Sequence, residues 1–198
     1  MPSDNQPVID SALTEEEAKK QNPEGLAPEE VRRAQRVLPV SYYGFDGVLH
    51  EGQLVMHEEL AEDVQAFFAL ARELTFPIEK VIPICVPDYA WNDDRSCDDN
   101  NTAGWNYRLI AGTDRVSKHA FGRAFDVNPV QNPYIRYDAE EEEVFRAPEH
   151  SGYDERAAGT LAAAHPLVGL LKSRGWTWGG DWTPASGRID YQHFEKAG

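Results

Sequence analysis

The sequence predicts one compact domain that combines helices and strands, and two features carry that prediction. Between His57 and Leu74 the apolar residues Leu60, Val64, Phe67, Phe68, Ala71 and Leu74 recur at spacings of three and four, so one stripe of an α-helix faces a core. Ahead of it, Leu38–Phe45 and Gly52–Met56 are aromatic and β-prone and flank a glycine-containing turn, the pattern of two strands in a hairpin. With 198 residues, 41% of them hydrophobic, and five tryptophans, the chain can bury one sizeable core but not two. The division expected is a polar N-terminal arm with short helices, residues 1–37, and one domain over residues 38–198.

The other elements follow from local signals. Residues 1–25 are polar and read as a mobile arm, with a short helix offered by Thr14 followed by Glu15, Glu16 and Glu17, a capping-box pattern. A second helical piece starts near Pro28. Pro77 stops the long helix, and Val81–Val86 then reads as a buried strand that Pro83 pushes toward an edge or a bulge. Pro87–Gly104 reads as a long polar loop; its aspartates Asp88, Asp93, Asp94, Asp98 and Asp99 lack the alternate spacing and closing glutamate of a calcium-binding EF-hand, so the loop is expected to be solvated. A shorter helix spans His165–Arg174, with Pro166 at its start, Leu167, Leu170 and Leu171 inward and Gly175 as its C-cap. A last strand runs from about Ile189 to Glu195, and the Glu140–Glu143 run reads as a solvated face.

Charge and composition exclude several classes. Acidic residues outnumber basic ones 34 to 19, for a net charge of -15, and the basic residues form no cluster beyond Arg32, Arg33 and Arg36, so nucleic acid and anionic membrane are poor partners. No segment reaches the ~20 apolar residues of a membrane span, and Met1–Asn22 has no apolar run behind a basic start. A monomer is expected. The two cysteines, Cys85 and Cys97, are too few for a disulfide framework and leave one bridge or two free thiols equally open.

The chemistry sits in two clusters, Ser117–Asp126 and Asp190–Glu195. A hydrolytic zinc site takes three nitrogen or carboxylate ligands and leaves a fourth position open, and His119, Asp126 and His193 supply such a set. Gly122 and Ala124 argue against a long helix, which places His119 on a turn and Asp126 on a strand Ala124–Val127, with His193 on the last strand. Asp190 lies three residues before His193 and would face the other side of a regular strand, so it is expected in a turn or bulge, from which its carboxylate can serve as a general base. Taken singly, each histidine reads as structural and Asp126 as a turn residue. His50, His57, His150 and His165 have no ligand spacing.

Taken together, the clusters resemble a family signature: Ser, any, His, any two, Gly, any, Ala, any, Asp, and later a carboxylate, two residues and His. Ser117, His119, Gly122, Ala124 and Asp126 match the first part, and Asp190 and His193 the second. The pattern resembles the zinc D-alanyl-D-alanine carboxypeptidases and L-alanyl-D-glutamate endopeptidases of bacterial cell walls and phage endolysins, including the vancomycin-resistance type. The resemblance reaches from Leu38 to Glu195 through weaker pieces at Asn106–Arg108, Asn128–Pro129, Asn132–Tyr134 and Trp178–Trp182.

What the resemblance implies is a small α+β domain, an antiparallel sheet flanked by helices, of D,D-peptidase or Hedgehog-like fold with zinc on the sheet face, and hydrolysis of a peptide bond in peptidoglycan stem peptides at the cell wall or periplasm. Zinc would be held by His119, Asp126 and His193, and Asp190 would act as base. Arg108 matches the family's substrate arginine, set to stabilise an oxyanion or hold a carboxylate, against the alternative of an ordinary ion pair. Ser117 either bonds substrate or caps the turn. Asp181 and Glu195 are candidates to orient a ligand histidine. Trp105, Trp178 and Trp182 either wall the cleft or fill the core. A catalytically inactive Hedgehog-like metal module and a purely structural domain are the rival readings; the presence of Asp190 favours catalysis over the first.

Overall fold

Alternating burial builds the first sheet. The structure, a computed structural model, describes residues 6–23, 25–110 and 112–198. Strand β1 (Val8–Ile9), helices α1 (Glu15–Ala18) and α2 (Glu29–Arg33), and strands β2 (Gln35–Tyr43) and β3 (Leu49–His57) come first, and the sheet order is β1-β3-β2. β2 and β3 form the expected antiparallel hairpin; β2 starts earlier than Leu38 and stops at Tyr43, short of Phe45, while β3 extends beyond Gly52–Met56 at both ends. Leu38, Val40 and Tyr42 on one strand, with Leu54 and Met56 on the other, point into the core. Against them lies α3 (Ala61–Glu73), which buries Val64, Phe67, Phe68 and Ala71, the stripe read from the sequence.

The described part of the arm is docked onto this sheet instead of projecting from it. β1 pairs in parallel with β3, and Gln53 accepts from Ser11 Oγ and the Leu13 amide at 2.7 Å each. The Thr14–Glu17 capping box forms, and Ala18 buries itself with Ala27, Val55 and Trp105 in a second, smaller apolar cluster. A short polar segment can dock this way because its amides find partners on an otherwise open sheet edge.

Past α3 the chain departs from expectation twice. Val81–Val86 is not a strand: the Val81 carbonyl accepts from the Gln53 amide at 2.9 Å, the Ile82 amide bonds Asn101 Oδ1, and the chain turns at Pro83, which has no N–H for a ladder. The supposed loop 87–104 contains α4 (Asp93–Asp98), capped by Asn92, whose Oδ1 accepts from the Arg95 amide at 2.9 Å. Cys85 and Cys97 are both free thiols.

The second half holds two further sheets. β4 (Ala124–Asp126), β5 (Tyr134–Tyr137) and β6 (Glu143–Ala147) precede α5 (Pro166–Ser173), which is followed by β7 (Thr177–Trp178), β8 (Arg188–Asp190) and β9 (His193–Glu195). The orders are β4-β9-β7 and β6-β5-β8, both antiparallel. The single last strand expected is therefore two strands in two sheets, joined at Tyr191–Gln192. Phe125 and Phe194, stacked with centroids 5.6 Å apart, and Trp176 carry the core from the second sheet to Phe67 of α3. The architecture is α+β with three small sheets in place of one. Among the described residues no helix is long and apolar enough to cross a membrane.

Asp63 ties α3 to the end of the chain. Its carboxylate accepts from Trp176 Nε1 and Lys196 Nζ at 2.8 Å each and from Arg174 Nη1 at 3.0 Å. Burial pushes this carboxyl up, but Lys196, Trp176 and Arg174 outweigh it and hold it below the usual carboxylate range. Asp63→Ala is expected to cost about 2 kcal/mol in urea denaturation, since three donors lose one partly buried acceptor. A carboxyl with a depressed folded-state pKa stabilises above its unfolded value and ceases to as pH falls through the folded one. The gap between wild type and Asp63→Ala should therefore be full at pH 6 and shrink below about pH 4; a pH-independent gap would reject the ionic account.

Candidate metal centre

The turn that carries His119 is fixed from several sides. Ser117 caps a 3-10 turn, Lys118–Phe121, by accepting from the His119 amide at 3.2 Å. Gly122 closes it with φ +63°, where a Cβ would lie 1.9 Å from Gln35 Oε1 and 2.6 Å from the His57 amide nitrogen. Trp105 Nε1 donates to the Ala120 carbonyl at 3.0 Å. His119 Nδ1 meets the Gly104 carbonyl at 2.8 Å; a carbonyl only accepts, so Nδ1 donates to it and Nε2 is the atom turned toward Asp126 and His193.

Asp126 and His193 face each other across the β4–β9 pair. His193 Nε2 lies 3.1 Å from Glu195 Oε2, which assigns the proton to Nε2 and leaves Nδ1 as a donor atom. His119 Nε2 is 3.2 Å from His193 Nδ1 and 3.2 Å from Asp126 Oδ2, and His193 Nδ1 is 3.0 Å from Asp126 Oδ1. All three residues are buried, and among the described residues this is the one His/Cys/Asp/Glu group placed to hold a metal ion.

The donor set fits such an ion. Tetrahedral zinc with ligands at ~2.0–2.1 Å separates neighbouring donors by about 3.3 Å, close to the edges of this triangle. Two lone pairs and a carboxylate this close in a buried site also require a positive charge among them. In the protein by itself a proton meets the need. Burial works against the charge on His193, but Asp126 and Glu195 on either side prevail and raise it to about 10. Burial likewise opposes the Asp126 charge, and His119 and His193 overcome it, holding the carboxyl well below the usual range.

The triangle opens into a cleft of about 310 Å³ lined by residues of both clusters and by the β5–β6 hairpin. Asp190 ends β8 and is not in a bulge; the turn at Tyr191–Gln192 follows it and carries the chain to His193. Its Oδ1 is buried without a hydrogen-bond partner. Burial pushes this carboxyl up against the pull of His193, and with the nearby Asp126 charge it reaches about 7. Arg108 lines the same cleft, where Nη2 donates to Asp93 Oδ2 and Nε is buried without a partner, so the ion pair and the cleft position coexist. Ser117 caps its turn and also lines the cleft.

Among the remaining candidates, Glu195 bonds a triangle histidine and Asp181 does not: Asp181 pairs with Lys172 at 2.6 Å. Trp182 walls the cleft, its ring 5.8 Å from that of His193, whereas Trp178 and Trp105 are buried. The Gly104 carbonyl, Asp93 and the aromatic hairpin wall were not anticipated. Asn92 ahead of Asp93 and Asp94 is a readable N-cap signal, but nothing local marks a backbone carbonyl as a histidine partner.

Residues 111–196 match the family model described as D-alanyl-D-alanine carboxypeptidase. The matched stretch contains the triangle and Asp190, so the resemblance to the zinc D,D-peptidases stands on the family match as well as on the two motifs, and it supports a peptidase. Arg108, α3 and the hairpin of the first sheet precede this carboxypeptidase-like stretch. Among curated proteins and among solved structures nothing matches.

Glu195 supplies the test of this geometry. Glu195→Gln keeps the size of the side chain but presents a poorer acceptor to His193, and partners of this kind typically contribute 10- to 100-fold to metal affinity. Competition with a chromophoric chelator should show a zinc Kd raised by about that factor with an unchanged Tm of the metal-free protein; unaltered affinity would mean that Glu195 does not set the ring.

Proposed function

We propose that this chain is a zinc-dependent peptidase acting on peptidoglycan stem peptides, as a D,D-carboxypeptidase or an L-alanyl-D-glutamate endopeptidase with the fold of that family. The observation that carries the reading is half-buried Asp190, whose Oδ1 is buried without a partner in the same cleft as the His119, Asp126 and His193 triangle. The three triangle residues hold the metal, which when bound supplies Lewis acidity to water and to the scissile carbonyl. Asp190 takes the proton from the attacking water and returns it to the leaving amine, for which a carboxyl drawn up toward neutrality is suited. Arg108 presents its free Nε–H and its charge to the carbonyl oxygen or to a substrate carboxylate. Ser117 holds the His119 turn and offers a hydroxyl to substrate. A metal module without activity has no use for an unpartnered carboxylate oxygen in this cleft.

The decisive comparison uses one preparation of Asp190→Ala. Zinc should stay near one per chain and hydrolysis of a cell-wall peptide should fall by ~10²- to 10⁴-fold, the usual contribution of a general base. Loss of zinc would make Asp190 a ligand, full activity would remove it from the reaction, and iron in place of zinc would sink the metal assignment. Arg108→Ala should keep zinc and lower kcat/KM by about a hundredfold; unchanged kinetics would leave Arg108 as the partner of Asp93 alone.

A further inference from the structure

The third sheet turns one face toward the cleft. Across it Arg136 of β5 stands directly between Phe145 of β6 and Arg188 of β8, and Tyr134 stands between Ala147 and Asp190. Residues directly opposed in antiparallel strands project from one face, as do residues two apart along a strand. The two rows therefore share a face, and Phe145, Tyr134, Arg188 and Asp190 line the cleft.

Like charges directly opposed across two strands repel, and Arg136 and Arg188 form such a pair. Among the described residues neither guanidinium meets a carboxylate. Each lies on a ring instead, Arg136 over Phe145 with Cζ 5.1 Å from the centroid and Arg188 over Trp182 at 4.6 Å. Several other arginines are paired with acids, Arg36 with Glu58, Arg123 with Glu59, Arg146 with Glu143 and Arg174 with Asp63. Stacking occupies the face of a guanidinium and leaves its N–H fork free for a carboxylate.

We propose that Arg188 and Arg136 form a carboxylate-binding subsite that selects an acidic peptide. Arg188 sits two residues from Asp190 on one strand face, about 7 Å away. Resting on the peptidase reading, in which Asp190 faces the scissile bond, this spacing places the bound carboxylate on the residue after that bond or on the next one. The group is a side-chain carboxylate or a chain terminus, and the two share the same recognition.

Calorimetry on zinc-loaded Asp190→Asn protein, in which turnover should be slowed as in Asp190→Ala, tests the subsite by binding. The probes are acetyl-L-alanyl-D-glutamate amide against its D-glutamine counterpart, for a side chain, and acetyl-D-alanyl-D-alanine against its amide, for a terminus. One acid should bind at least ~10-fold tighter than its neutral partner, as a charge-assisted bond gives. Adding Arg188→Gln should erase that preference, and Arg136→Gln should weaken it without lowering the Tm of the peptide-free protein, because a repulsion is relieved. Equal binding of acid and neutral probes in both pairs, no binding of either acid, or a preference that survives Arg188→Gln overturns the subsite. Carboxylate-dependent binding of peptides that the wild-type protein does not cleave would keep the subsite and unseat the peptidase reading; cleavage without acid preference would do the reverse.

Discussion

Two imidazole lone pairs and a carboxylate share a buried triangle about 3 Å on a side, and positive charge must be found among them. Much of the second half of the fold serves to hold that arrangement. The Gly104 carbonyl and Glu195 each bind the outer nitrogen of one ring, so neither ring can turn to relieve the crowding. The β4–β9 pairing fixes Asp126 opposite His193, while the stacked Phe125 and Phe194 fasten the same two strands to α3 from beneath. A divalent cation held here would have to displace the proton, so affinity for such a cation would be tied to pH.

The sequence disclosed what repeats locally and hid what depends on distant partners. The α3 stripe and the β2–β3 hairpin were legible because burial on one side imposes a period on the residues themselves. His119, Asp126 and His193 were legible as a pattern of spacing. What escaped was set by contacts far along the chain. Val81–Val86 has strand composition, yet its polar atoms are taken by Tyr42, Gln53 and Asn101. The arm has loop composition, yet an open edge of β3 captures it. Ile189–Glu195 reads as one strand because a two-residue passage between sheets leaves no glycine or proline to announce it.

Charge is distributed against the grain of the composition. The chain carries -15 overall, and most described arginines and lysines are bonded to nearby acids. At the cleft the balance changes: Arg108 keeps one N–H unused, and Arg188 rests on an aromatic ring. Arg108, Arg115, Lys118 and Arg188 line a cleft that also holds Asp93, Asp94, Asp126, Asp190 and Glu195, so an anion would be received there by particular cations and not by a basic surface.

The passage between β8 and β9 is only Tyr191 and Gln192, and it is clamped. Tyr153 stacks on Tyr191 with centroids 3.5 Å apart, Trp178 Nε1 donates to the Tyr191 carbonyl at 2.7 Å, and Gly179 lies so close beneath that a Cβ there would be 2.4 Å from the Asp190 carbonyl oxygen. Asp190 and His193 therefore behave as two ends of one stiff rod whose ends are set in different sheets. An inserted residue in the passage would leave every side chain of both motifs present and still spoil their registration, so the interval between these two residues is as much a part of the site as the residues themselves.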